Sequence, residues 1–333
     1  KIFQNLHNKN LLEAFMDLIS LYYFSELAKD LHMTRTANRL FISQQTLSNH
    51  IKRLEDSLDV QLFQRKPTFQ LTYAGEQVLS FANVVNSEYA NLKDLLSDIS
   101  QQERGVIRFG ASYLRMNTCL PDILPEFSGR YPHVELRLTE ANSPSLEPMV
   151  MSGELDFAIV ISEQDNPSLF HRHLMHEPVY LCVADSLLRQ YYGEKTDEMK
   201  FRAAHGVSVT DFSKLPFCLH SNRLGRHILN CFDAAGVVPN TYIMSSDTQI
   251  SLTMCMQRRA ACFVTQMRLI QQQDELPEDI NLFPLYSNGQ PMTQHLTLVY
   301  RKDRYLSRYS KLFLDLIIKY FSDIEQVRME HTV

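Results

Sequence analysis

Residues 34–66, TRTANRLFISQQTLSNHIKRLEDSLDVQLFQRK, decide the fold of the first part of the chain. The stretch reads as two helices joined by a tight turn. The first covers 34–40 and turns Ala37 and Leu40 inward. Phe41 and Ile42 make the turn. Ser43 is a good N-cap, because its hydroxyl accepts a free backbone N–H of the next turn. Leu47, Ile51, Leu54 and Leu58 then recur at helical spacing, giving the second helix one apolar stripe. Its other face carries Gln44, Gln45, Ser48, Asn49 and Lys52. Glutamine can pair with adenine in bidentate fashion, so this face suits a helix reading base edges in a major groove. Arg35, Arg39, Lys52, Arg53, Arg65 and Lys66 can supply phosphate contacts. The plain alternative is a solvated helical pair with no ligand.

At these residues a resemblance becomes specific. Tyr23-Phe24, Thr34-Arg35-Thr36-Ala37, Leu40, Ser43-Gln44, Leu47-Ser48, Ile51, Leu54-Glu55, Leu62-Phe63, Arg65 and Leu71-Thr72-Tyr73-Ala74-Gly75 together resemble the N-terminal domain of LysR-type transcriptional regulators. The resemblance implies a winged helix-turn-helix over 16–72. It implies contacts to double-stranded operator DNA from Thr34, Arg35, Ser43, Gln44, Gln45, Ser48, Asn49, Lys52, Arg53, Arg65 and Lys66. There are departures. Leu31-His32-Met33 stand where the family usually has Gly-Ser-Phe, and Gln45-Thr46 where it has Pro-Ala. Asn49 replaces a common arginine. Asp59 replaces the glycine ending the recognition helix, and Asp tolerates a left-handed backbone better than most residues.

The rest of the sequence bounds the setting. A length of 333 residues allows two or three domains. No apolar run is long enough to span a membrane. The start, KIFQNLHNKN, is too polar for a signal peptide. Six cysteines form no CxxC pair, so a reduced cytoplasm is expected. The net charge of −5 excludes a generic polyanion binder. Positive charge is local: six basic residues face three acidic ones within 34–66.

Residues 1–15 read as an N-terminal extension that either lies on the head as a helix or frays. A first helix is expected over 18–29 and a short wing over 61–72, its strands kept brief and at an edge by Pro67. Residues 73–104 form a linker. Val78, Val85, Leu92 and Ile99 repeat every seven residues there. With no tail-side core to lie on, a partner helix would bury that stripe. A helix folded back on its own domain is the alternative. By resemblance this is the family's dimerising linker helix, followed by a polar hinge.

From Gly105 strands and helices alternate, which implies a parallel sheet with crossovers. Strands are expected at 106–111, 134–138, 157–161, 178–184, 217–220, 241–244, 261–264 and 295–300. Helices are expected at 117–128, 145–153, 226–235, 250–257 and 307–321. Residues 188–215 read as a polar insertion or an idiosyncratic helix. This part resembles the family's effector domain, two α/β lobes like a periplasmic binding protein. By that likeness lobe I is 105–166 plus 287–333 and lobe II is 167–286.

Ligands of open α/β sheets sit beyond the strand carboxyl ends, where helix N-termini point. Ser112, Tyr113, Arg115, Asn117 and Thr118 follow the first strand. His220, Ser221 and Asn222, with Arg223, follow a strand of lobe II. Ser162 and Thr265 close two others. Two donor-rich loops without an acidic residue favour a small anionic effector, a carboxylate. His171, Arg172, His173 and His176 could suggest a metal, but no carboxylate or cysteine stands at helpful spacing. Cys255 and Cys262 could suggest redox sensing, which needs an accessible, stabilised thiolate. No nucleophile motif, phosphate loop or zinc signature appears, so no enzyme and no cofactor are expected. The reading is a ligand-responsive transcription factor acting as a dimer or tetramer. The alternatives are a solute-binding protein, favoured by the tail alone, and a redox-sensing regulator.

Overall fold

The structure is a computed structural model that describes residues 17–64, 68–100, 104–162, 166–287, 289–327 and 329. The extension at 1–15, Met16 and the wing-tip residues Arg65 and Lys66 lie outside the described residues. The chain is an α+β, two-part molecule, with a winged helix-turn-helix, a long linker helix and a two-lobed α/β body.

Three helices build the head: α1 (Leu18–Asp30), α2 (Met33–Arg39) and α3 (Gln44–Leu58). Leu47, Ile51 and Leu54 of α3 pack on Leu21, Phe24, Leu27 and Ala37, each almost fully buried. Ser43 caps α3, its hydroxyl accepting from the Thr46 N–H at 3.0 Å. Asp59 ends the helix at φ +54, the left-handed conformation expected of it. The wing pairs β1 (Phe63–Gln64) with β2 (Gln70–Leu71), Phe63 opposite Leu71. Glu55 ties it to α3 by accepting from the Leu62 N–H at 2.8 Å.

The linker is one helix, α4 (Tyr73–Ser100). It does not stand clear of the body, contrary to the sequence expectation. Val78, Ala82 and Val85 join the head core. Ser87, Asn91 and Asp94 are buried against the body. Leu92 and Ile99 stay exposed, with Phe81, Val84, Leu95 and Leu96. Apolar periodicity missed the second face because its burial is polar and rests on ion pairs made with residues far along the chain.

Lobe I holds β3 (Gly105–Ala111), α5 (Tyr113–Arg130), β4 (Val134–Glu140), α6 (Ser143–Met151) and β5 (Phe157–Ile161). A long strand, β6 (Leu169–Ala184), follows. Lobe II adds α7 (Asp185–Tyr192), α8 (Thr196–Ala203), β7 (Pro216–His220), α9 (Arg223–Ala234), β8 (Asn240–Ser245), α10 (Thr248–Met256), β9 (Ala261–Thr265), α11 (Gln266–Gln271) and β10 (Ile280–Pro284). A small hairpin of β11 (Tyr286–Ser287) and β12 (Gln290–Pro291) leads to β13 (Thr293–Arg301) and the closing helix α12 (Arg308–Glu325).

The strand order is β4-β3-β5-β13-β6-β9-β7-β8, with β10 also on β6. Neighbours β3–β4, β3–β5, β7–β8 and β7–β9 are parallel, as the βαβ alternation implies. The crossing strands pair antiparallel, β13 with β5 and β6. The first half of β6 belongs to lobe I, where Pro178 still pairs with Thr293. Its second half pairs with β9 and β10 in lobe II. The lobes therefore meet near Pro178 and Met292, later in the chain than the expected 166/167 and 286/287. One uninterrupted strand serves both lobes, and no local signal marks where its partner changes. The expected insertion at 188–215 holds the end of α7 and all of α8 and gives Val207, Val209, Phe212 and Leu215 to the lobe II core.

Candidate nucleic-acid interface and effector cleft

On the head, Gln44, Gln45, Asn49, Lys52 and Arg53 project from the exposed side of α3, and Ser48 is half-buried. The Thr34 hydroxyl donates to Gln44 Oε1 at 2.9 Å and so pre-positions that side chain. Arg35 Nη2 donates to the Asp30 carbonyl at 2.8 Å. Arg39, which the sequence offered to phosphate, has its guanidinium taken by two carboxylates of α1, with its side chain 41% exposed. It pairs with Glu26, and with Asp30 at 2.7 Å. Ser43 spends its hydroxyl on the cap and on Thr46. His50, on the same helix, turns inward, where Nδ1 lies 2.8 Å from Ser20 Oγ. It pins α3 to α1, a role without a sequence signal.

A cleft of about 770 Å³ opens between the lobes at the carboxyl ends of their strands. Ser112, Tyr113, Arg115, Ser221, Asn222, Arg223 and Thr265 line it, as the sequence reading placed them. Asn117, Thr118, Ser162 and His220 are not among its lining residues. Helix α5 starts at Tyr113, four residues earlier than expected, so Asn117 and Thr118 lie inside it. The Thr118 hydroxyl donates to the Leu114 carbonyl of the same helix. His220 is buried in lobe II with Nε2 at 3.0 Å from the Phe263 carbonyl. Burial lowers its pKa, which favours the neutral ring. Ser162 is half-buried just beyond Ile161, whose carbonyl accepts from Arg223 Nη1 at 2.9 Å.

Arg115 does not offer a full charge. Its Nη2 lies 3.7 Å from Glu177 Oε2, and both side chains are buried. Its Nη1 donates to Ser112 Oγ at 3.1 Å. Glu177 arrives from β6, 62 residues along, so no loop reading could pair them. The cationic surface comes from lobe II, where Arg226 and Arg268, which the sequence reading did not single out, line the cleft beside Arg223. Arg226 is exposed at the first turn of α9, whose close approach to β7 requires Gly225. A Cβ there would stand 1.7 Å from the His220 carbonyl oxygen. Glu140 and Asp247 also line the cleft, beyond the two loops that the sequence singled out. Asp247 caps α10, accepting from the Gln249 N–H at 2.8 Å. Three arginines against two carboxylates leave the wall cationic once Arg115 and Glu177 cancel.

The sequence profile of the LysR substrate binding domain matches residues 100–322. That of the bacterial regulatory helix-turn-helix protein, lysR family, matches residues 18–76. The chain belongs to the LysR family. It is a ligand-responsive DNA-binding transcriptional regulator, not an enzyme. It is similar to an uncharacterized HTH-type transcriptional regulator of Bacillus subtilis, YcgK, at 27% identity over 90% of this chain and 94% of the relative. Its fold is similar to full-length OxyR of Pseudomonas aeruginosa, at a TM-score of 0.68 and 20% identity over 92% of this chain and 94% of that one. Full-length CbnR, solved complexed with its target DNA, superposes at a TM-score of 0.58 and 18% identity over 92% of this chain and 99% of that one.

In this LysR regulator Cys255 and Cys262 do not have the environment of a sensor. Of the cysteines, all but Cys231 are buried. Burial pushes Cys119 up to about 12 and Cys218 up to about 11. Cys255 and Cys262 share a hydrogen bond and both rise well above the ordinary thiol value. A reactive thiolate needs the opposite shift. His173, His176 and His295 touch ring to ring on β6 and β13, at 4.3 Å for each neighbouring pair. Among the described residues no group of three histidine, cysteine or acidic side chains could hold a metal ion. Among them, too, no helix is long and apolar enough to cross a membrane.

Proposed function

We propose that this regulator reads a two-fold operator as a dimer or tetramer and responds to a small organic anion, a carboxylate, bound between its lobes. Helix α3 enters the major groove with Gln44, Gln45 and Asn49 toward the bases. Thr34, Arg35, Ser43, Ser48, Lys52 and Arg53 lie toward the backbone. Such a target puts its site of action in the cytoplasm. The anion sits against Arg226 and the neighbouring lobe II arginines and is met from lobe I by Ser112 and the free N–H groups opening α5. The observation that carries the ligand class is the cationic lobe II wall of the cleft. The likeness to CbnR, which was solved with its target DNA bound, supports the DNA half of the reading. Footprinting of the DNA beside the protein's own gene, with and without a panel of carboxylates, tests both halves. A protected dyad whose pattern changes with an acid is expected. Protection that no carboxylate alters, but a neutral or cationic metabolite does, would replace the ligand class.

A further inference from the structure

The foot of lobe I, at the end remote from the cleft, holds a buried ionic cluster that neither DNA reading nor ligand capture uses. Arg304, in the turn before α12, is its centre, with its side chain 2% exposed. Its Nη1 donates to Asn91 Oδ1 at 2.9 Å and lies 3.0 Å from Asp156 Oδ1. Its Nη2 donates to Asp94 Oδ2 at 2.9 Å. Asn91 and Asp94 belong to the linker helix, and Asp156 to lobe I. One guanidinium thus joins the two units, and its planar fork suits simultaneous partners as an ammonium would not.

Further contacts close the seam, among them Arg301 Nη2 donating to Glu88 Oε1 of the linker at 2.8 Å. The Tyr309 hydroxyl donates to the other Asp94 oxygen. Asp98 accepts from the Tyr305 hydroxyl at 3.0 Å and from the Arg308 N–H at the start of α12. Gly153, at φ +76, lets the end of α6 meet the linker, since a Cβ there would stand 2.5 Å from Ser87 Cβ. Asp156 is itself fixed, accepting from the Arg108 N–H at 2.8 Å. It immediately precedes β5, whose far end carries Ile161 at the cleft, where the carbonyl takes Arg223 of lobe II. A buried carboxylate in such a cluster is held by its partners, and removing one leaves an uncompensated charge.

We infer that Arg304 is a positioning residue that makes the linker helix and lobe I one rigid body. Lobe II is then the part that moves when the cleft closes, and the head keeps its angle to lobe I. This rests on the cleft reading only for what drives closure. The weld itself is read without any ligand.

The test is a distance between nitroxide labels introduced by non-cysteine chemistry at Glu76 on the linker and Glu126 on α5. It is measured on the full chain diluted into unlabelled protein. Wild type should give one narrow distribution. Asp94→Asn and Arg304→Ala should add a second, displaced population. Leu316→Ala, a lobe I core truncation away from the seam, should lose melting temperature but keep the single narrow distance. If Arg304→Ala does not fold, Asp94→Asn decides, because asparagine keeps the shape of the side chain. An unchanged distribution in Asp94→Asn, or an equal broadening in Leu316→Ala, overturns the weld. A weld that holds while no carboxylate alters the footprint would sink the ligand reading alone.

Discussion

Gln44, the proposed base reader, is where affinity and specificity should separate. It is exposed at the start of α3 and held by the Thr34 hydroxyl. Base contacts specify and phosphate contacts position. Gln44→Ala should therefore cost about 1–3 kcal/mol on the operator and little on random duplex. Equal losses in competition binding would remove Gln44 as a reader. Arg39 does the opposite work, inside the head. Burial pushes Glu26 up, but hydrogen bonds from Arg39 and Lys29 and their charges outweigh it and hold the carboxyl below its ordinary 4.5. Hydrogen bonding to Arg39 likewise lowers Asp30 below 3.8. A depressed carboxylate stabilises the fold above its unfolded pKa and loses that contribution as pH falls through the folded value. The stability of the head should thus decline as pH drops below about 4.5, the unperturbed carboxylate range. Arg39→Met should flatten that decline in denaturant titrations run across acid pH.

At the scale of elements, the linker helix has two jobs on two faces. Its polar side, with Ser87, Asn91 and Asp94, is taken by its own lobe I. Its apolar side, with Phe81, Val84, Leu92, Leu95, Leu96 and Ile99, stays exposed among the described residues. At about 100° per residue these residues share one side of the helix. A second linker helix buries such a side by knobs-into-holes packing. Leu92→Asp puts a charge in that seam and should yield monomers with poor operator affinity, since one head reads half of a dyad. Sedimentation showing an unchanged oligomer would place the dimer contact elsewhere.

For the whole molecule the decisive geometry is two lobes joined by two crossing strands, with the cleft between them. A ligand shifts closure only by its differential affinity for the open and closed states. Arg226 stands on one lobe and Ser112 on the other, so each should contribute to that difference. A carboxylate effector should raise the melting temperature, and Arg226→Ala should remove most of the shift. Ser112→Ala should reduce it. Both variants should bind the operator normally without effector, because neither residue is near the head. Retention of full ligand affinity in Arg226→Ala, measured by calorimetry, would move the anion site away from lobe II.

The sequence by itself determined the elements whose causes are local. The apolar spacing of Leu47, Ile51 and Leu54, the Ser43 cap and the left-handed Asp59 fix the recognition helix within a few residues. Alternating strands and helices fix two α/β lobes, and residues at strand ends account for seven of the cleft-lining positions. Tertiary structure decided whatever depends on a partner far along the chain. Glu177 neutralises Arg115, Arg304 takes Asp94, and Glu140 and Asp247 join the cleft from strands and caps that carry no motif. Periodicity reports which side of an element avoids water. It does not report which buried charge meets which, because that pairing is set by chain reversal over tens to hundreds of residues.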